Sequence, residues 1–147
     1  MSRALAVVLG AGAGMLVAMQ APINSRLGKH IGAAQAATFS FIVGTAVLLV
    51  VTAFWKGGWG ALGHVGRAPW WALVGGALGA VYVTVALLAV RPLGATGLTA
   101  VVILGQLTMS VVIDRFGLLG VERIHVGAQR IAGLALLLAG VLLVVRK

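Results

Sequence analysis

Residues 94–120, with the sequence GATGLTAVVILGQLTMSVVIDRFGLLG, decide the fold. The first 20 are nearly all apolar or small, which is enough for a helix to cross a bilayer core of about 30 Å. At about 100° per residue, Thr99, Gln106 and Ser110 share one face of that helix, and Asp114 lies at its edge. Unpaired polar groups in hydrocarbon are costly, so this stripe must meet something other than lipid. Gln106 either bonds to a neighbouring helix or lines a cavity.

The composition of the whole chain identifies an integral membrane protein. Of its 147 residues, 61% are hydrophobic and only 9% are charged, whereas soluble domains are about 45–50% apolar and 25% charged. The net charge of +9 is not gathered into a basic face. Its bases stand at the ends of apolar runs, where Lys and Arg reach lipid headgroups. We therefore expect membrane lipids as partners and no nucleic acid.

The chain lacks the residue clusters that catalysis or metal binding requires. It has no Cys, and His30, His64 and His125 are separated in predicted connections. Asp114 and Glu122 are the only acids, and no nucleophile–base arrangement or phosphate loop accompanies them. The sequence therefore predicts no enzyme activity, no cofactor and no metal site.

The apolar runs predict one all-α transmembrane domain over residues 1–147. Short loops join the spans, and the N-terminal run is a retained first span because more membrane helix follows it. The five predicted spans are residues of about 4–25, 33–54, 70–90, 94–114 and 126–145.

The end of the first span carries two amides around a proline. Gln20 and Asn24 are one turn apart, and Pro22 between them removes a backbone donor, which should kink or break the helix. One interpretation is a simple stop before the connection. The other is an opened backbone with two amides aimed at a ligand and Pro22 as a hinge, as in the broken helices of transporters.

Small and aromatic residues indicate packing surfaces and membrane interfaces. Tyr82 ends a groove of small residues on the third span, which favours a hydroxyl facing a cavity or a partner. Threonines 38, 45 and 52 recur every seven residues and favour packing, since Thr can bond its own helix backbone. The stretch from Lys56 to Pro69 is expected to be an exposed loop. The predicted interfacial anchors are Trp59, Trp70 and Trp71. The glycines predicted to pack between helices are Gly10, Gly14, Gly75, Gly79, Gly133 and Gly140.

Two charged side chains near span ends have predicted local roles. Asp114 is expected to form a salt bridge with Arg115 or a neighbouring base near the interface. Arg130 is close enough to the end of the fifth span to extend to the headgroups.

The basic residues are almost evenly divided between the two sides of a five-span protein. One side carries six and the other five, and leaving out Arg130 gives five against five. An excess of bases normally fixes orientation, so this balance predicts insertion both ways and an antiparallel homodimer. Such a dimer reproduces the inverted repeat of many transporters and gives alternating access a physical basis. The first side carries Arg3, Lys56, Arg67, Arg115, Arg123 and Arg130; the second carries Arg26, Lys29, Arg91, Arg146 and Lys147.

Several motifs resemble the YdcZ-like five-helix family of the drug/metabolite transporter superfamily. They extend over nearly the whole chain: Gln20-x-Pro22-x-Asn24 with Leu27-Gly28, Trp70-Trp71 followed by Gly79-Ala80-Val81-Tyr82-Val83, Gly94-Ala95-Thr96 with Gly105-Gln106, and Asp114-x-Phe116-Gly117. The resemblance implies half-size transporters of the plasma (inner) membrane that act as antiparallel homodimers or paired homologous subunits. It also implies that the first four helices build the substrate cavity and that the fifth is peripheral.

The first span departs from the multidrug branch of that superfamily, because it has no membrane carboxylate for proton-coupled export of cations. Amides suit a neutral or zwitterionic polar substrate better. The expected site has Gln20, Asn24 and Gln106 orienting the substrate, with Tyr82 and Thr99 as wall contacts. A passive channel on a similar dimer and a non-transporting partner subunit are the alternatives.

Overall fold

The chain folds into α-helices joined by short 3₁₀ segments and loops. A computed structural model describes residues 2–56 and 58–146 and places no β-strand among them, so the predicted all-α class is confirmed. Four helices are long and apolar enough to cross a membrane, the third counted from Trp70 to Phe116. The α-helices are α1 (Arg3–Ile31), α2 (Ala33–Phe54), α3 (Gly75–Phe116) and α4 (Ala128–Val145).

Helix α1 is longer than the sequence predicted. It begins after Ser2, whose Oγ accepts from the Leu5 amide at 3.2 Å, and it continues through Pro22 to Ile31. The predicted end near residue 25 was therefore wrong by about one and a half turns, and the helix is not broken at Pro22. Membrane helices tolerate Pro where neighbouring helices and side chains satisfy the freed backbone group. The connection to α2 is a single residue, Gly32, at φ 95°.

Helix α3 contains most of the third predicted span and all of the fourth. Its 42 residues correspond to about 63 Å, roughly twice the hydrocarbon thickness. Gly94 interrupts it at φ 71°, ψ 169°, a conformation that is essentially limited to glycine. We call residues 75–93 α3a and residues 95–116 α3b. The predicted connection Arg91-Pro92-Leu93 is helical, and the break is one residue later.

The beginning of the third predicted span is also different. Residues Trp70–Val74 form a 3₁₀ helix, and the α-helix starts only at Gly75. The stretch predicted as an exposed loop contains a second 3₁₀ helix, Trp59–Arg67, none of whose residues is buried. Its exposure was therefore predicted correctly, whereas its regular conformation was not.

The chain forms two compact units that divide between residues 88 and 89. In the first, α1 packs on α2, and Ala37 of α2 joins Val83 and Leu87 of α3a in an apolar core. Partly buried Ala33 and Tyr82 pack against this core. In the second unit, α3b ends at Phe116 and is followed by Gly117, a left-handed residue at φ 63°, after which the chain leads to α4.

Candidate functional site

Asn24 is a predicted site residue that is buried and hydrogen-bonded to another helix. It is 6% exposed, and its Nδ2 donates to Ser40 Oγ on α2 at 3.2 Å. Small residues surround it on the buried face of α1, including Ala21 and Gly28, and buried Ala36 lies on the facing helix. Small residues allow two membrane helices to approach closely enough for a short polar side chain to bridge them. The sequence did not single out Ser40.

The other predicted site residues occupy different environments. Gln20 is exposed one turn before Asn24, and Tyr82 is half-buried against the α2–α3a core. Thr99 is half-buried and Gln106 is exposed, and both lie on α3b in the second unit. The first unit therefore holds two amides on one helix, of which one is already engaged in a hydrogen bond between helices.

A cavity of about 640 Å³ lies between α2 and α3a. This volume falls within the range of about 300–1,000 Å³ that is typical of small-molecule sites. The residues that line it are Ala34, Ala37, Thr38, Phe41, Ile42, Thr45, Ala46, Leu49, Ala80 and Thr84.

The wall of this cavity is apolar in character although it contains threonines. Thr38 Oγ1 donates to the Ala34 carbonyl at 3.0 Å, and Thr84 Oγ1 donates to the Ala80 carbonyl at 2.8 Å. Both hydroxyls are thus turned to their own helices, and for Thr38 this agrees with the expectation for the threonine seam of α2. Their methyl groups and the Phe41 ring make the cavity suited to an apolar part of a ligand.

None of the five predicted substrate contacts is among the residues that line the cavity. The seven-residue threonine spacing marked the correct face of α2, but that face was assigned to packing. Ala80 and Thr84 on α3a gave no comparable signal, because a small residue and a threonine one turn apart are common in membrane helices.

The predicted packing glycines differ in their surroundings. A Cβ on Gly79 would lie 3.3 Å from Phe41 Cζ, so α3a passes close to α2 at this position. At the other five positions, an added Cβ would meet no described atom of the same unit within 4 Å. Their packing role stays a prediction for surfaces between chains. These five are Gly10, Gly14, Gly75, Gly133 and Gly140.

An ion pair connects the two helices of the second unit. Arg130 of α4 donates to the Asp114 carboxylate at 2.8 Å, so the expected extension of Arg130 to the headgroups is corrected. The expected partner of Asp114 was Arg115 or a neighbouring base. The observed partner is Arg130, a base that is near Asp114 in space. Nearby, Arg123 Nε donates to the Arg115 carbonyl at 2.9 Å and closes the loop onto the end of α3b. Proximity in the fold, and not in sequence, selects these pairs.

The structure places no group of three or more His, Cys, Asp or Glu side chains together within the ranges it describes. What the geometry defines is a multi-span membrane protein with a drug-sized, mostly apolar cavity between α2 and α3a and a polar contact between α1 and α2.

The chain belongs to the YdcZ family, described as "Putative inner membrane exporter, YdcZ", whose profile matches residues 5–143. The resemblance found in the sequence is thereby confirmed, and so is the expected location in the inner membrane. No curated protein matches the chain. No solved structure matches it either.

Proposed function

We propose that the protein is a small-molecule exporter that works by alternating access as an antiparallel homodimer. The observation that carries this proposal is the cavity of about 640 Å³ between α2 and α3a. A cavity of that volume on membrane-length helices suits a drug-sized solute. The family description of an inner membrane exporter agrees with it.

The proposed substrate has both a polar and an apolar part. In the first unit, Gln20 and Asn24 orient the polar part and Tyr82 contacts the substrate. Gln106 and Thr99, which belong to the second unit, keep the same predicted roles. The cavity takes the apolar part, because the Thr38 and Thr84 hydroxyls are bonded to their own helices. Pro22 supplies local freedom for the change of access. A neutral or zwitterionic amphipathic molecule fits this arrangement best.

The balance of charge supports two orientations in the membrane. A five-span topology puts six bases on one side and five on the other, or five on each side when Arg130 is left out. No excess of Lys and Arg is then left to favour one orientation. Two oppositely oriented copies would form an inverted pair, in which inward-open and outward-open states have nearly equal energy.

The first experiment tests topology. A single cysteine is introduced as Ser2→Cys or appended after Lys147, since the chain has no Cys of its own. Whole cells are then labelled with an impermeant thiol reagent. Partial labelling of both variants is expected, because an odd number of spans puts the termini on opposite sides. Labelling of one variant alone would exclude dual orientation and direct the search to a complementary partner chain.

The second experiment tests transport itself. Proteoliposomes are loaded with a panel of neutral, zwitterionic and cationic small molecules, and efflux is compared with empty vesicles. Saturable efflux of a neutral or zwitterionic compound, lost in Gln106→Leu with insertion intact, is expected. Normal efflux in Gln20→Ala, Asn24→Ala and Gln106→Leu alike would overturn the site assignment. Ion fluxes far above carrier turnover would instead indicate a channel.

A further inference from the structure

All four tryptophans of the protein lie in one short part of the chain. Trp55 follows α2, Trp59 begins a 3₁₀ helix, and Trp70 and Trp71 begin the next one. We call residues 55–74 the tryptophan segment. It carries Lys56, His64 and Arg67 and contains no Asp or Glu. The segment is therefore both aromatic and cationic.

The first 3₁₀ helix of this segment has a three-residue repeat. Its sequence, WGALGHVGR over Trp59–Arg67, reads as three triplets, each an apolar residue, a glycine and a third residue. A 3₁₀ helix has three residues per turn, so residues three apart stack directly above one another. Runs beyond three or four residues are uncommon for this reason. Residues at the same position of successive triplets therefore form a row along the helix. The row of glycines carries no side chains.

The repeat sorts the remaining side chains by character. Trp59, Leu62 and Val65 form one row and are 50%, 55% and 57% exposed. The second row, Ala61, His64 and Arg67, is also exposed. An apolar row beside a basic one is the pattern of helices that lie in the plane of the membrane interface. The exposed apolar row is therefore suited to contact with lipid.

A crevice of about 290 Å³ lies between the end of α2 and this 3₁₀ helix. Its lining includes Trp55, Lys56 and Leu62. A crevice lined by a basic, an aromatic and an aliphatic residue matches a phosphate group followed by the first part of an acyl chain. Because the segment has no acidic residue, its charge complements an anionic headgroup and not a cationic one.

We propose that the tryptophan segment is a binding site for anionic phospholipid at the membrane interface. The row of Trp59, Leu62 and Val65 inserts at the boundary between headgroups and acyl chains. Lys56 in the crevice and Arg67 on the basic row pair with the anionic headgroup. This site is separate from the cavity between α2 and α3a, and its test does not depend on transport.

The distribution of tryptophan makes the test direct, because intrinsic fluorescence reports only on this segment. The purified full-length protein is reconstituted into vesicles that contain brominated phosphatidylglycerol or brominated phosphatidylcholine at equal mole fraction. Stronger quenching by the anionic lipid is expected. The double variant Lys56→Gln/Arg67→Gln should reduce this preference by up to about fivefold for each base removed, the factor that corresponds to about 1 kcal/mol per basic residue at an anionic surface.

Two matched controls separate specific binding from general effects. Arg26→Gln/Lys29→Gln removes the same charge from exposed positions at the end of α1 and should leave the preference unchanged. Leu62→Ser should weaken quenching by both lipids, whereas Ala68→Ser, at an exposed position outside the crevice, should not. Equal quenching by the two lipids, or an unchanged preference in Lys56→Gln/Arg67→Gln, would overturn the proposal. Tryptophans that neither lipid quenches would also overturn it and would indicate a protein partner on this surface.

Discussion

The side-chain amide of Asn24 on α1 donates to the hydroxyl oxygen of Ser40 on α2 at 3.2 Å. This bond joins two helices, and it engages the amide nitrogen of a residue that the sequence assigned to a ligand. A buried amide needs such a partner, because an unpaired polar group in an apolar environment is costly. The bond could hold the two helices together, or it could orient Asn24 for contact with a substrate. These two roles predict different effects of mutation on stability and on transport.

Exchanging the two partners separates these roles. Ser40→Ala should lower the free energy of unfolding by about 0.6 kcal/mol and by no more than about 1.7 kcal/mol, the average and the maximum measured for hydrogen bonds between membrane helices. The swapped variant Asn24→Ser/Ser40→Asn should restore most of that stability, measured by unfolding in detergent. It should not restore transport, because the amide then lies on the wrong helix. Full recovery of transport in the swapped variant would show that Asn24 is structural only.

Filling the cavity between α2 and α3a should impair transport without unfolding the protein. Ala80 is exposed and lines the cavity, so Ala80→Phe places a ring in the space proposed for the apolar part of the substrate. A loss of about 1.4 kcal/mol of binding would raise KM about tenfold. Leu78→Phe is the matched control, because Leu78 is exposed and is not among the lining residues. Equal effects of the two variants on KM would contradict the proposed site.

Replacing the glycine that interrupts α3 should destabilise the protein. Gly94 has φ 71° and ψ 169°, and holding a residue with a Cβ in this region costs about 1–3 kcal/mol. Gly94→Ala should lower the unfolding midpoint in detergent. The helical Gly105→Ala in α3b should be neutral or stabilising, since Ala favours helix over Gly by up to about 1 kcal/mol. A neutral Gly94→Ala would mean that the break does not require this conformation.

The ion pair between Arg130 and Asp114 should contribute modestly and depend on salt. Its side chains are 44% and 26% exposed, so Asp114→Asn should cost no more than about 1 kcal/mol of stability. Raising the ionic strength should narrow the difference from the native protein, because salt screens exposed charges. Glu122→Gln is the control, since no ion pair of Glu122 occurs among residues 2–56 and 58–146. A difference that is unchanged by salt would indicate that Asp114 acts through packing.

Much of the fold followed from the sequence because hydropathy is a local property. Twenty apolar residues in a row predict a membrane helix without knowledge of any neighbour, and α2 was predicted with the bounds that it has, Ala33–Phe54. The predicted positions of the C-terminal end of α1 and of the interruption in α3 were less accurate. Proline signalled a break in both helices, but α1 continues through Pro22 and α3 is interrupted at Gly94 instead.

By itself, the sequence determined that this is an all-α inner membrane protein of the YdcZ family, because composition, apolar length and short motifs are all read along the chain. Tertiary structure alone decided that Asn24 bonds to Ser40, that Arg130 pairs with Asp114, and that a cavity opens beside Phe41. These features depend on which helix faces meet and at what height. Apolar helices carry little information about that in their sequences, since nearly every face is suited to lipid.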